Sequence, residues 1–199
     1  MGQASDLQTA SAAMDLARAE LESHWVPFTD NKSFKDDPRL LVKGQGVHLW
    51  NQHGDKLLDG ASGLFTSAAG HCRPEITEAV AAQLAQLDYM PSFLRSHPRS
   101  FELANKLVPL FPANMNHVFF CNSGSEAVDS AMKIALQYHA SRGEGGRNVF
   151  VSRDRAYHGV NIGGTSLSGL MKNRQGFNAM MPGVVHMRST FDPEQRYSM

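Results

Sequence analysis

Apolar residues along the chain recur at a helical spacing in some segments and form short continuous runs in others. The helical spacing predicts helices over residues 7–24, from Pro74, from Pro98, and from Ser125 to about Ser141. Proline suits the first position of a helix, where its missing amide would be unpaired anyway. We expect the helix from Pro98 to be buried through Phe101 and to end near Phe111.

The continuous runs predict strands of two different kinds. Residues 41–59 predict a small antiparallel meander with Gly44, Gly46 and Gly54 at its turns. Later apolar runs lie at 117–120, 148–152 and 183–187. These runs do not alternate with polar residues and are separated by helices, which is typical of a largely parallel sheet. We therefore predict an α/β fold, in which the Gly/Ser/Thr-rich residues 160–168 form a short close-packed helix.

Small residues separate the run at 117–120 from the helix that follows it. A strand, a tight turn and a helix N-terminus can bind an anion, because the first helical amides are unpaired and point outward. Gly124 lets the backbone approach a ligand closely, and Ser123 or Ser125 can add a hydroxyl. An ordinary capped helix is the alternative, and the spacing alone leaves both open.

Tyr157 and His158 follow the apolar run at 148–152. Ligands of parallel sheets bind where strand ends meet helix starts, so Ser125 and Tyr157 are expected to be neighbours. For Tyr157 the alternative is a core tyrosine with a satisfied hydroxyl. Residues 60–70 are predicted to form a loop, in which Leu64 and Phe65 either anchor the loop to the core or contribute to a site.

Composition and charge argue against several classes of function. The chain has 19 Lys and Arg residues and 19 Asp and Glu residues, so its formal charge is zero and no field favours nucleic acid or an anionic membrane. No apolar run reaches membrane length, and no signal peptide is recognisable. Cys72 and Cys121 lie far apart and lack metal-ligand spacing. We expect free, buried thiols in the cytoplasm and no metal site.

Four motifs, taken in order along the chain, carry a resemblance to a known family. They are Gly63-Leu64-Phe65 with Gly70-His71, Pro91-Ser92-Phe93 with His97-Pro98, Asn122 to Ala127, and Tyr157-His158-Gly159. From about residue 24 onward the chain resembles class III pyridoxal-phosphate aminotransferases, above all the ω-amino acid (β-alanine):pyruvate aminotransferases. The resemblance implies a fold-type I pyridoxal-phosphate-dependent transferase. Residues 1–70 would form an N-terminal segment with the meander, and residues 71–199 an incomplete large cofactor-binding domain.

The resemblance also implies a cofactor, pyridoxal 5′-phosphate, and the residues that bind it. These residues would be Ser123, Gly124, Ser125, Tyr157 and His158. The turn at 123–125 would hold the phosphate, Tyr157 would stack on the pyridine ring, and His158 would lie beside it. Phe65 and Phe93 would line the substrate pocket. Family members often have Trp at the position of Phe65, which implies a pocket of different shape here.

Two residues that the family requires are not found in this chain. They are the lysine that forms a Schiff base with the cofactor and the aspartate that holds the pyridine nitrogen protonated. In the family both lie beyond the position of Met199. Neither Lys133 nor Lys172 matches the lysine position, and neither Asp129 nor Asp154 matches the aspartate position. We expect an N-terminal fragment that contains no catalytic residue and is neither well folded nor active alone.

Three functions remain open at this point. The first is transfer of an amino group from an ω-amino acid or amine, such as β-alanine, to pyruvate, by a parent enzyme that is a homodimer. The second keeps the fold and cofactor but changes the reaction to that of an aminomutase, decarboxylase or epimerase. The third is a non-catalytic fragment. Neither nucleic acid nor a membrane is expected as a partner.

Overall fold

The computed structural model describes residues 16–177, 180–189, 191 and 193. The chain divides into two compact units, Met1–His97 and Pro98–Met199. Within the described residues, no helix has both the length and the apolar composition that crossing a membrane requires.

The first unit contains the antiparallel meander that the pattern at 41–59 predicts. Its strands, paired in chain order, are β1 (Leu41–Gln45), β2 (His48–Asn51) and β3 (Lys56–Leu58). Gly46 (φ +57°) and Gly54 (φ +86°) make the turns in the left-handed conformation that favours glycine. The prediction of a turn at Gly44 is wrong, because Gly44 lies inside β1 opposite Leu49. Its role is steric, since a Cβ there would meet the Cβ of His71 at 2.9 Å.

Trp50 stabilises the meander by contacting side chains from both neighbouring strands. Lys43 on β1 and Lys56 on β3 are its cross-strand partners. Their ammonium groups lie 4.6 Å and 5.7 Å from the centre of the Trp50 ring. Such cation–π contacts contribute about 0.5–1 kcal/mol each at exposed sites.

The described residues of the first unit form three helices besides the left-handed turn at Ser62–Phe65. They are α1 (Arg18–Leu21), α2 (Asn31–Asp36) and α3 (Pro74–Gln86). The helix predicted over 7–24 falls partly on residues 7–15, outside the described residues, and the rest is helical only in α1. α3 begins at Pro74 as predicted. Its apolar stripe, Ile76, Val80 and Leu84, is more than half exposed.

The predicted loop at 60–70 contains a turn in which the backbone is left-handed. Residues Ser62–Phe65 wind through the left-handed region, with Gly63 at φ 57°, ψ 43° and Leu64 at φ 59°, ψ 51°. Asp59 holds this turn, accepting hydrogen bonds from the amides of Ala61 (3.1 Å) and Gly63 (2.8 Å). The ends of the loop are joined by His71 Nε2, which lies 2.7 Å from Asp59 Oδ2.

The second unit contains helices and a parallel strand pair. Its helices are α4 (Pro98–Leu107), followed by a 3₁₀ turn (Val108–Leu110), α5 (Gly124–Ser141), α6 (Ile162–Leu167) and α7 (Met171–Arg174). β4 (Phe150–Arg153) and β5 (Val184–Met187) pair in parallel, with Val151 opposite Val185. An antiparallel meander followed by a parallel pair confirms the predicted α/β class.

Some details predicted for the second unit are wrong. The run at 117–120 is not a strand, because none of the described residues pairs with it, and Phe119 is 71% exposed. β4 covers Phe150–Arg153 rather than 148–152. Phe101 on α4 is 63% exposed rather than buried. In the first unit, Cys72 is a free thiol as predicted but is exposed.

The buried part of the second unit centres on α6. This helix packs against α5, β4 and β5. Met132 on α5 and Leu167 on α6 are the buried apolar residues of the part that the structure describes. The other buried positions around α6 are small, including Thr165, Ser166 and Ser168. Small side chains let the backbones approach closely, which confirms the predicted close-packed helix at 160–168.

Candidate functional site

The N-terminus of α5 leaves two backbone donors free. Ser123, in an extended conformation, caps the helix through Oγ, which accepts a hydrogen bond from the Glu126 amide (3.1 Å). The Glu126 carboxylate turns back and accepts from the amide of Asn122 (2.9 Å). Among the described residues, the amides of Gly124 and Ser125 have no acceptor. The helix dipole adds partial positive charge at this end, and unpaired amides at a helix N-terminus are groups that can bind an anion.

The space beside these amides is open. A Cβ built at Gly124 would have no heavy atom within 4 Å, apart from chain neighbours and the backbone of its own helix. A ligand can therefore approach the helix end without displacing a side chain. An ordinary capped helix would also show the Ser123 cap and unpaired first amides, and the open face at Gly124 adds the room that an anion would need.

Ser125 connects the helix end to the segment that follows β4. Its Oγ accepts a hydrogen bond from the amide of Val160 (3.0 Å). Gly159 (φ +110°) lies against the same serine, and a Cβ there would come within 2.7 Å of Ser125 Oγ. Because Oγ acts as an acceptor towards Val160, the hydroxyl proton remains free to donate to a ligand. The start of α5 and the segment after β4, which the sequence predicted to be neighbours, are thus in contact.

Tyr157 and His158 lie in the turn between β4 and α6. His158 Nε2 is 3.0 Å from Oγ of Ser152, a buried residue of β4. Tyr157 is 56% exposed, so its ring is available to a ligand and is not a core residue. Gly169 supports the start of the turn, accepting a hydrogen bond from the amide of Arg155 (3.1 Å) and donating one to the carbonyl of Ala156 (2.9 Å).

A residue that sequence reasoning set aside also contacts this turn region. Asp129 Oδ1, on α5, accepts a hydrogen bond from the amide of Gly164 on α6 (3.0 Å). Its spacing in the sequence could have identified Asp129, because it lies one helical turn after Ser125 and on the same face. Ser152 was missed as well, because nothing in the strand pattern distinguishes it.

The two aromatic residues assigned to a substrate pocket lie in the first unit. Phe65 (φ +70°) ends the left-handed turn and is 84% exposed. Phe93 is 83% exposed and precedes Leu94, which also has a left-handed backbone (φ +59°). The aromatic pairs found among the described residues include neither ring.

The residues at 123–125 and 157–158 have the chemical groups that a phosphorylated aromatic cofactor would need. Two open amides and a hydroxyl suit a phosphate and need no cationic side chain. The exposed ring of Tyr157 belongs to a turn whose next residues contact Ser125. A helix N-terminus in contact with a turn that carries an exposed aromatic residue suits a heterocycle that carries a phosphate.

Comparisons with known proteins agree on one family. The family model for class III aminotransferases matches residues 31–197. The omega-amino acid–pyruvate aminotransferase of Pseudomonas putida is 46% identical, over 92% of this chain and 40% of its own length. The beta-alanine–pyruvate aminotransferase of Pseudomonas aeruginosa is 45% identical, over 89% of this chain and 40% of its own.

Solved structures of transaminases share the fold. An (S)-enantioselective omega-transaminase from Thermomicrobium roseum superposes with a TM-score of 0.86 at 32% identity, over 92% of this chain and 42% of its own. The omega transaminase of Pseudomonas jessenii, in complex with PMP, gives a TM-score of 0.83 at 30% identity, over 87% of this chain and 39% of its own. The chain therefore spans about 40% of the length of these relatives.

Proposed function

Because this chain belongs to the class III aminotransferase family, we propose that it is the N-terminal, cofactor-binding part of an ω-amino acid transaminase. The whole protein would move an amino group from an ω-amino acid or amine, such as β-alanine, to pyruvate. The names of the two aminotransferases from Pseudomonas described above support this choice of donor and acceptor.

One observation carries the proposal: an open helix N-terminus lies beside the turn that bears Tyr157. The amides of Gly124 and Ser125 and the Ser125 hydroxyl would bind the phosphate of pyridoxal 5′-phosphate, and Ser123 would hold the helix end in shape. The helix dipole contributes about 0.3–1 kcal/mol to holding such an anion. When bound, the cofactor supplies the electron sink that amino-group transfer needs.

The remaining site residues orient the ligands. Tyr157 would lie against one face of the pyridine ring and fix its plane. His158 would lie beside the ring, with Ser152 holding its imidazole from β4. Phe65 and Phe93 would line the substrate pocket, where their exposed rings would contact the apolar part of the amine.

Catalysis is assigned to the whole protein rather than to these 199 residues. We place the catalytic lysine and the aspartate that pairs with the pyridine nitrogen in the part of the relatives that this chain does not cover. Neither Lys133 nor Lys172 takes the lysine's place. The division into residues 1–70 and 71–199, a homodimeric parent enzyme and a cytoplasmic location belong to the same proposal.

Binding to the whole protein, freed of its cofactor, tests the cofactor site without requiring turnover. Pyridoxine 5′-phosphate is a suitable probe, because it lacks the aldehyde that reacts with surface lysines, and pyridoxine lacks the phosphate. Titration calorimetry should detect the phosphorylated probe and not the other. Gly124→Asp should abolish binding, because it adds a carboxylate beside the open amides. The matched control is Gly145→Asp, at a position that is equally open.

The reaction is tested on the whole protein with separate donor and acceptor assays. Formation of alanine from pyruvate, dependent on β-alanine or another ω-amine, would support the proposal. Release of CO₂, or isomerisation of the amine with no keto acid consumed, would replace it with a decarboxylase or aminomutase. No turnover with any donor, despite a bound cofactor, would favour a non-catalytic role.

A further inference from the structure

Two side chains of α5 form matched hydrogen bonds with the segment 160–164. Ser125 Oγ accepts from the amide of Val160, and Asp129 Oδ1 accepts from the amide of Gly164, both at 3.0 Å. Ser125 and Asp129 are four residues apart on one helix face, and their two partners are also four residues apart. The segment that leads into α6 is therefore attached to α5 at two points in the same register.

Asp129 supplies the cap that α6 lacks within its own sequence. Asn161 occupies the N-cap position, but its side chain makes no capping hydrogen bond. Gly164 is the third residue of α6 (Ile162–Leu167), and its amide is one that a capping side chain normally satisfies. A carboxylate is also favoured there by the helix dipole.

Glycines make this close attachment possible. A Cβ at Gly163 would come within 2.5 Å of Asp129 Oδ1 and 3.0 Å of Met132 Sδ. A Cβ at Gly164 would meet the carbonyl oxygen of His158. The N-terminus of α6 thus lies directly against α5 on one side and against the Tyr157–Gly159 turn on the other.

We propose that Asp129 is a positioning residue for the cofactor site, holding the 157–160 turn against Ser125 by capping α6 from α5. This proposal rests on the function proposed above only for the identity of the ligand. Loss of the cap would free the start of α6, and the turn before it would move away from Ser125. The hydroxyl of Ser125 and the ring of Tyr157 would then lose their shared geometry.

Amide hydrogen exchange can show whether Asp129 positions the 157–160 turn or stabilises only the start of α6. Asp129→Leu keeps the approximate size of the side chain but removes the acceptor, whereas Asp129→Asn keeps an acceptor oxygen. Gln137→Leu, at an exposed position on the same helix, is the matched control. We expect exchange to rise about tenfold in Asp129→Leu at Gly164 and also at Val160, the scale of one lost hydrogen bond.

Val160 is the decisive readout, because its amide bonds to Ser125 and not to Asp129. Asp129→Asn should restore most of the protection at both amides, and Gln137→Leu should leave both unchanged. If Asp129→Leu accelerates exchange at Gly164 alone, the positioning role is overturned. This measurement needs no ligand, so it stands even if the proposed cofactor does not bind.

A second measurement on the unaltered protein covers the case in which Asp129→Leu does not fold. Coupling between two sites is reciprocal, so a ligand bound at the α5 N-terminus must strengthen the cap if the cap strengthens binding. Saturating pyridoxine 5′-phosphate should slow exchange at Gly164 several-fold. Binding of the probe without any change at Gly164 would reject the proposal, whereas absence of binding would count against the proposed function instead.

Discussion

Gly159 has no room for a side chain, since a Cβ there would lie 2.7 Å from Oγ and 2.8 Å from Cα of Ser125. Its φ of +110° is also one that residues with a side chain rarely adopt. On the other side of the turn, Ser152 fixes the imidazole of His158 from β4. The residues proposed to face the cofactor ring are therefore held by two contacts with different elements.

Substitution of Gly159 by Ala should disrupt this contact. The added methyl group must displace Ser125, and the backbone must leave its left-handed conformation, so we expect a loss of about 2–4 kcal/mol in the free energy of unfolding. Binding of pyridoxine 5′-phosphate should weaken in parallel. Denaturant unfolding and titration calorimetry measure the two effects.

Gly146→Ala is the control for this prediction, because a Cβ at Gly146 meets nothing within 4 Å and its φ is not left-handed. It should leave binding unchanged and change stability by less than about 1 kcal/mol. Equal effects of the two substitutions would show that Gly159 is not specially constrained.

At the scale of elements, the loop between β3 and α3 depends on one carboxylate. Left-handed backbone costs roughly 1–2 kcal/mol for each residue with a Cβ, so the turn Ser62–Phe65 must be held by its surroundings. Asp59 provides this by accepting hydrogen bonds from Ala61, Gly63 and His71. The hydrogen bond with His71 is the main reason that the pKa of Asp59 lies below its ordinary value of 3.8, opposed by partial burial and assisted by the two amides.

The lowered pKa predicts that the loop opens in acid. Because the folded state holds the Asp59 proton more weakly than the unfolded state does, its stabilisation is complete above about pH 4. It is lost as the pH falls below 3.8 and through the lower pKa of the folded loop. Pepsin, which acts in this range, should cut the Leu64–Phe65 bond increasingly as the pH is lowered.

Asp59→Asn should make the same bond sensitive already at pH 4.5, because an uncharged amide binds His71 and the two backbone donors more weakly. The Leu110–Phe111 bond, exposed in the second unit, provides an internal reference for pepsin activity. If the ratio of the two cleavage rates did not change with pH in the unaltered protein, the role of Asp59 would be refuted.

At the scale of the whole molecule, the described residues bury few apolar side chains. In the part of the chain that the structure describes, Met132 and Leu167 are the buried apolar side chains. Val151 and Val185, paired across β4 and β5, are 58% and 52% exposed. The chain spans about 40% of the length of its relatives, and its poor folding in isolation remains a prediction.

Two sets of substitutions in the 199-residue chain should therefore differ strongly in their effect on its stability. Leu167→Ala should remove most of the cooperative unfolding that the chain shows, because it opens a cavity in the small core around α6, a change that costs about 2–5 kcal/mol in a well-packed core. Val151→Thr and Val185→Thr should each change stability by about 0.5 kcal/mol or less. They should also reduce binding of an apolar fluorescent dye, which reports exposed apolar surface.

Thermal or denaturant unfolding and dye fluorescence test this contrast. If the two valine substitutions destabilised the chain as much as Leu167→Ala does, the face of the β4–β5 pair that carries Val151 and Val185 would have to be buried in solution.

The sequence by itself determined the parts of this protein that depend on local chemistry. The helical spacing gave α5 nearly to the residue, Pro74 marked the start of α3, and glycines marked two turns of the meander. The four motifs, in order, identified the fold-type I transferase fold, which the transaminase structures confirm. Periodicity, capping and turn chemistry involve residues close together in the chain, so a pattern can reveal them.

Only the tertiary structure decided which groups meet and which stay exposed. The bonds from Ser125 and Asp129 join residues 35 positions apart, and the spacing that places Asp129 on the same helix face as Ser125 does not show what that face contacts. The apolar run at 117–120 has strand composition, yet it pairs with none of the described residues. Pairing and burial depend on what packs against a segment, and that is a property of the folded chain rather than of the segment.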